Sequence, residues 1–174
     1  MALPGDLRLL DLGLDHIDAM IELVERCDRT YRAWAPEGWD VPDLELDRTR
    51  WEQSWSVSSR WLKGAVDGSE RLVGLAGWRP YSESDGRPVA RVAHLSALFV
   101  DPSRWREGIA TELLRLAEGA MRERGYRTAR LWTPEGAPAR WFYERAGWRQ
   151  DGRRRWHEAL RLPVVGYEKR LRDR

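Results

Sequence analysis

Val100-Asp101-Pro102-Ser103-Arg104-Trp105-Arg106-Glu107-Gly108-Ile109-Ala110-Thr111 is the stretch on which the reading of this chain turns. An apolar run, Val89–Val100, leads into it as a strand. Asp101-Pro102 stops that strand, because proline has no N–H to donate and biases its predecessor. Beyond the turn, Ile109, Leu113, Leu116, Ala117, Ala120 and Met121 follow a 3.6-residue period, and Gly125 stands where a helix ends. The segment is therefore strand, tight turn, helix start. The first turn of a helix leaves backbone N–H groups without partners, and the peptide dipoles add partial positive charge there. Gly108 lets a ligand come close to the backbone, and Arg104 and Arg106 add charge beside it. Such a turn suits a diphosphate. It is not a P-loop, since no Gly-Lys-Ser/Thr follows. It is not a dinucleotide fingerprint, since Gly108 alone of the three glycines is present.

Working outward, Leu7–Leu12 reads as a short strand. Asp15 is the expected N-cap of a helix whose apolar stripe is Ile17, Met20, Ile21, Val24 and Cys27. Residues 28–42 are irregular, broken by Pro36, Gly38 and Pro42. A second helix is predicted over Leu44–Ser58, with Trp51 and Trp55 on one face. Trp61–Val66 and Arg71–Arg79 flank an Asp67-Gly68 turn and form a hairpin. Residues 80–88 read as a loop. Arg127–Thr133 is a strand, Pro138–Ala146 a short helix closed by Gly147, and Trp148–Gln150 and Val164–Leu171 are closing strands. The order is β-α-α-β-β-β-α-β-α-β-β, a mixed α/β class in a single domain over residues 1–174.

Composition bounds the rest. The chain has 174 residues, of which 42% are hydrophobic and 33% charged, enough for one core and tight for two. No run of about 18 apolar residues is present, so no membrane span is expected. The N-terminus lacks a signal-peptide pattern. The lone cysteine, Cys27, cannot form an internal disulfide and fits a reducing cytoplasm. It lies on a helix stripe and reads as packing before nucleophile. Net charge is +2 and the basic residues are nearly all arginine, so nucleic acid is not an expected partner. Arg153, Arg154 and Arg155 read as a solvated turn. The 11 tryptophans exceed what a core this size needs, so several are expected in a pocket. His16, His94 and His157 are far apart and lack metal-ligand spacing.

Leu95 to Leu114, centred on the quoted turn, resembles the acetyl-CoA motif of the GCN5-related N-acetyltransferase (GNAT) superfamily. Its pattern is Gln/Arg-x-x-Gly-x-Gly/Ala. Gly108 and Ala110 match it; Trp105 stands where Gln or Arg is usual. A second match, Ala139-Arg140-Trp141-Phe142-Tyr143-Glu144-Arg145-Ala146-Gly147-Trp148, resembles the family's Ala-x-x-Phe-Tyr-x-x-x-Gly-Phe helix in the right order and spacing.

The resemblance implies the acyl-CoA N-acyltransferase fold, a mostly antiparallel central sheet with flanking helices, and acetyl-CoA as cosubstrate without a metal. Leu98, Phe99 and Val100 would pair with the pantetheine arm. The diphosphate would rest on Arg106, Glu107, Gly108, Ile109, Ala110 and Thr111. Tyr143 matches the family's proposed general acid for the leaving thiolate. A family glutamate that serves as base falls on His94, whose imidazole suits proton transfer near neutrality. By alternation His94 shares a strand face with Ser96, Leu98 and Val100. Another glutamate position falls on Leu131, and a frequent asparagine falls on Gly136.

The acceptor is expected to be a primary amine on a small molecule or peptide. Trp34 and Trp39, with Glu37, Asp40, Asp43 and Glu45 nearby, are the candidate pocket for a cationic amine. Alternatives are a longer acyl donor such as succinyl-CoA, which would need a basic pocket, and a CoA-binding regulator without turnover. A homodimer is left open.

Overall fold

Two apolar stripes organise the chain from opposite sides of one sheet. The computed structural model describes residues 3–54 and 60–171. The elements are β1 (Arg8–Asp11), α1 (Ile17–Asp28), α2 (Leu44–Ser54), β2 (Trp61–Val66), β3 (Leu72–Ser82), β4 (Pro88–Val100), α3 (Ile109–Glu123), β5 (Thr128–Pro134), α4 (Ala139–Arg145), β6 (Arg149–His157) and β7 (Leu162–Arg170). The seven strands lie in the order β1-β2-β3-β4-β5-β7-β6. Every pairing is antiparallel except β4 with β5. This is the mixed α/β class that the element order predicts, with the mostly antiparallel sheet and flanking helices that the resemblance implies.

On one face, Ile109, Leu113, Ala117 and Met121 of α3 bury against Trp78, Leu95, Leu131 and Tyr167. On the other, Met20, Leu23 and Cys27 of α1 bury against Leu62, Leu75 and Ala97. Each large aliphatic side chain so buried contributes about 1.5–3 kcal/mol of transfer free energy. No helix among the described residues is long and apolar enough to cross a membrane.

Four local readings change. Asp15 does not cap α1: it sits in a 3-10 turn, Leu14–His16, and the helix begins at Ile17 without a side-chain cap. The expected end of α2 beyond Ser54, with Trp55, lies outside the described residues. β3 runs on through Pro80 to Ser82, where a loop was expected. There β2 has already ended, its last partner being Trp78, so the missing N–H of Pro80 leaves no β2 bond unmade. Arg153, Arg154 and Arg155 are not a solvated turn but the middle of β6, an edge strand paired with β7 beyond a bulge between Gln150 and Arg154.

A second bulge matters more. Trp78 pairs with Leu95 and Gly77 with Ala97, so Ser96 has no residue opposite it. One extra residue reverses the alternation downstream. Ala93 and Leu95, before the bulge, and Leu98 and Val100, after it, belong to the α3 face; Ala97 and Phe99 belong to the α1 face. His94 is therefore on the α1 face. The expected sharing of a face by His94, Leu98 and Val100 is corrected by the bulge.

Candidate active site

The two halves of the sheet part where the motif begins. β4 and β5 pair only from Val92 to His94, against Thr128 to Arg130. Beyond that point β4 stays with β3 while β5 follows β7. A cavity of about 1500 Å³ opens along the gap, lined by Leu98, Phe99 and Val100 on one side and Trp132, Thr133 and Pro134 on the other. The backbone of β4 facing it lacks a strand partner, so its N–H and C=O groups, apart from the Val100 carbonyl that Trp105 and Cys27 occupy, are available to an extended ligand.

At the foot of the gap the turn has the geometry an anion needs. Arg106 (φ 68°) and Gly108 (φ 82°) are both left-handed. Glu112 is the first residue to close a helical bond, its N–H donating to the Gly108 carbonyl at 3.0 Å. The amides from Arg106 to Thr111 find no backbone acceptor among the described residues. Arg106, Gly108, Ile109, Ala110 and Thr111 line the cavity. The Glu107 side chain does not: it grips Arg104 (2.8 Å), which also binds Asp6 (2.8 Å), so the charge of Arg104 is largely spent within the protein. Trp105, at the position of the usual Gln or Arg, donates its indole N–H to the Val100 carbonyl at 2.8 Å. That bond ties the turn to the strand end. Buried Asp101 holds the same junction, accepting from Ser103, Arg26 and Arg71. Two consecutive charge-assisted bonds of this kind keep the turn in one shape.

Tyr143 on α4 lines the same cavity. Its ring packs against Phe142, Trp148 and Tyr167. Its hydroxyl makes no hydrogen bond to another described residue. Burial pushes its pKa up, which keeps the phenol protonated. Next to it, the place of the missing asparagine is filled. A Cβ added to Gly136 would meet the Trp34 ring at 3.0 Å, so the indole occupies the space a larger residue would take. Trp34 lines the cavity. Trp39 does not: its indole N–H donates to the Leu160 carbonyl at 2.7 Å and fastens the post-α1 loop to the β6–β7 hairpin.

The carboxylates expected beside these tryptophans, Glu37, Asp40, Asp43 and Glu45, also lie outside the lining; Asp40 binds Arg32 at 2.7 Å. What the register brings in instead is Arg79, the cross-strand partner of His94, with Arg60 and Arg155. Sequence reasoning passed over Arg60 and Arg79 and read Arg155 as part of a solvated turn, because strand register decides which arginines meet. Burial, then Arg79, Arg155 and Arg153, lower the His94 pKa to about 3. Its imidazole is therefore neutral at pH 7. Cys27 also lines the cavity, but burial first, then Asp28 and Asp101, push its thiol up to about 12, so it is no nucleophile at neutral pH. Among the described residues no group of three or more His, Cys, Asp or Glu is placed to hold a metal.

The fold and this splayed cleft define an acyl-CoA N-acyltransferase architecture. It resembles PaiA N-acetyltransferase from Thermoplasma acidophilum in complex with coenzyme A (TM-score 0.67, 19% identity, 94% of this chain and 98% of that one). It resembles equally a GNAT-family acetyltransferase from Staphylococcus aureus (TM-score 0.72, 17% identity, 95% and 99%). An aminoglycoside 6'-N-acetyltransferase complexed with coenzyme A is a third neighbour (TM-score 0.68, 18% identity, 96% and 98%). No curated protein matches at the sequence level. The model of the Acetyltransferase (GNAT) family matches residues 18–148, and the chain belongs to that family. Acetyl-CoA is the family's cosubstrate, and the chain is an acetyltransferase by class.

Proposed function

We propose that this protein moves the acetyl group of acetyl-CoA onto a primary amine by direct attack, without an acyl-enzyme. The observation that carries the reading is the run of unpartnered amides from Arg106 to Thr111 at the foot of the β4–β5 gap, with the Tyr143 hydroxyl in the same cavity. The diphosphate rests on those amides. The pantetheine arm takes the free edge of β4 at Leu98, Phe99 and Val100, and the acetyl group ends near His94, where the strands meet.

The amine nitrogen forms a bond to the thioester carbon as the carbon–sulfur bond breaks. Tyr143 gives its proton to the departing thiolate, and His94 receives the proton lost by the amine. Main-chain N–H groups of the open β4 edge polarise the carbonyl, and positioning supplies most of the rate. A cytoplasmic setting fits the single reduced cysteine. The test is a thiol-release assay with acetyl-CoA and a broad amine panel. Tight cofactor binding with no release for any amine would replace the enzyme reading with that of a CoA-binding regulator.

A further inference from the structure

The charge of the cavity beyond the strand junction is one-sided. Among its described lining residues the one carboxylate is Asp28, buried at the end of α1 beside Cys27 and Tyr31. The arginines are spread along the lining, and three of them converge on the side where β4 leaves β5. Arg79 stands directly opposite His94, the last β4 residue to pair with β5. Directly opposed residues on one sheet face have Cβ atoms about 4.5–5.5 Å apart. On the neighbouring strand Trp132 shares that face, because Leu131 is in the opposite core. The guanidinium of Arg155 lies 4.5 Å from the Trp132 ring, and Arg153 sits at the same distance. Arg60 completes the wall.

Their partners separate these cations. Arg153 is neutralised by Asp151 at 2.5 Å and donates to the Tyr81 hydroxyl. Arg155 has the Trp132 ring and no ion pair among the described residues. Arg79 has no ion pair, hydrogen bond or ring partner among the described residues, although it is half-buried. A half-buried guanidinium with no protein partner, at the edge of a cavity, is placed to receive an anion through charge-assisted bonds. The CoA diphosphate has its own seat at the far end of β4, on the turn after Val100, so it does not explain Arg79.

We infer that the acceptor is a small amine carrying a carboxylate or comparable anion, and that Arg79, with Arg155 beside it, holds that group while the amine reaches the junction of β4 and β5. This rests on the acetyltransferase reading above and names its substrate class. It replaces the cationic acceptor expected from the tryptophan loop. It also bears on His94. A bound anion cancels part of the field from Arg79 and Arg155 and so moves the imidazole pKa upward, while burial, the larger cause of its lowering, stays in place.

The recognised chemistry, a small anion, could in principle sit on the acyl chain instead; acetyl-CoA as the cosubstrate assigns it to the acceptor. Matched acceptors test this: glycine against glycinamide, and β-alanine against β-alaninamide, each with acetyl-CoA and with succinyl-CoA, followed by thiol release. The amides have the less basic amines, so a preference for the acids cannot come from amine ionisation. The expected result with acetyl-CoA is a kcat/KM about 10- to 100-fold higher for the acids, the range of one charge-assisted bond. Arg79→Gln should collapse that ratio towards unity mainly through KM of the acids. Arg79→Lys should restore part of it, with CoA affinity as the check that the variants are folded. Preference for the amides would overturn the acceptor assignment and leave the acetyltransferase standing. Preference for succinyl-CoA with the neutral amides would move the anion to the donor and overturn it too. Absence of release with every pair would overturn this inference, while the transferase reading falls only if the broad amine panel is silent as well.

Discussion

Arg79 and His94 face each other across β3 and β4 at the point where the sheet divides. Neither could be placed there without the Ser96 bulge, which turns His94 to the α1 face. The pair combines a permanent charge with a group held neutral, since burial first and the nearby arginines second lower the imidazole pKa to about 3.

The first prediction follows from the sign of that shift. An unfolded histidine binds a proton near pH 6.5, and the folded one only near pH 3. Between those values the unfolded chain holds more protons, so stability falls as the pH drops from about 6.5 towards 3. His94→Gln should lose less Tm than the native protein on going from pH 7 to pH 4.5. Proton NMR of the ring should show His94 still neutral at pH 5, and Arg79→Gln should raise its titration midpoint. Protonation of native His94 already at pH 6 would contradict the field described here.

Gly108 adopts φ 82°, a conformation natural to glycine. Gly108→Ala should cost about 1 kcal/mol in stability from backbone strain alone. Gly108→Asp adds a negative side chain at the open amides and should weaken CoA binding by at least about 100-fold, the scale of losing charge-assisted bonds and adding repulsion. Urea unfolding reads the first and calorimetric titration with CoA the second. Native affinity in the aspartate variant would mean that the diphosphate lies elsewhere.

Tyr143→Phe keeps the ring that packs on Phe142, Trp148 and Tyr167 and removes only the hydroxyl. The expected result is a drop in kcat of about 100-fold or more, within the usual range for a lost general acid. CoA affinity should change less than about twofold. Turnover equal to that of the native protein would release Tyr143 from the role of proton donor.

Lys169 reaches inward from β7 to the Glu118 carboxylate at 2.8 Å and to the Ala146 carbonyl at 2.7 Å, while the Trp148 indole donates to the same carboxylate at 3.0 Å. This knot ties α3, β7 and the end of α4 together, and α4 carries Tyr143. Lys169→Met leaves a mostly buried Glu118 without its cation and should cost about 3 kcal/mol in urea unfolding. Adding Glu118→Gln should recover much of that loss. A single variant as stable as the native protein would show that the pair is not holding α4.

How much was legible in the chain depends on what each feature needs. The turn from Asp101 to Gly108 and the helix after it could be read because a proline stop, a glycine and a 3.6 period all act locally. Helix α4 and its tyrosine were legible for the same reason. Only the start of β6 was, at Trp148–Gln150, because the rest of this edge strand is largely solvated and has no apolar alternation, and Arg153, Arg154 and Arg155 look like any exposed run. The bulge at Ser96 leaves no mark in composition, so one unseen residue put His94 on the wrong face. The basic wall of Arg60, Arg79 and Arg155 joins three distant strand regions, and such a meeting exists only once register is fixed. Trp34 was found in the lining and Trp39 was not, since the two differ only in where the folded loop sends them.

The short seam between β4 and β5 has a thermodynamic reading of its own. The sheet is two slabs hinged at Val92–His94, and the wedge between them offers main-chain groups that no neighbouring strand uses. Anything that stitches both slabs favours the folded chain by RT ln(1 + [L]/Kd), about 2.7 kcal/mol at a hundredfold excess over Kd. Resistance to heat and proteolysis should therefore rise and fall with the supply of the donor, making the lifetime of this protein a gauge of what it consumes.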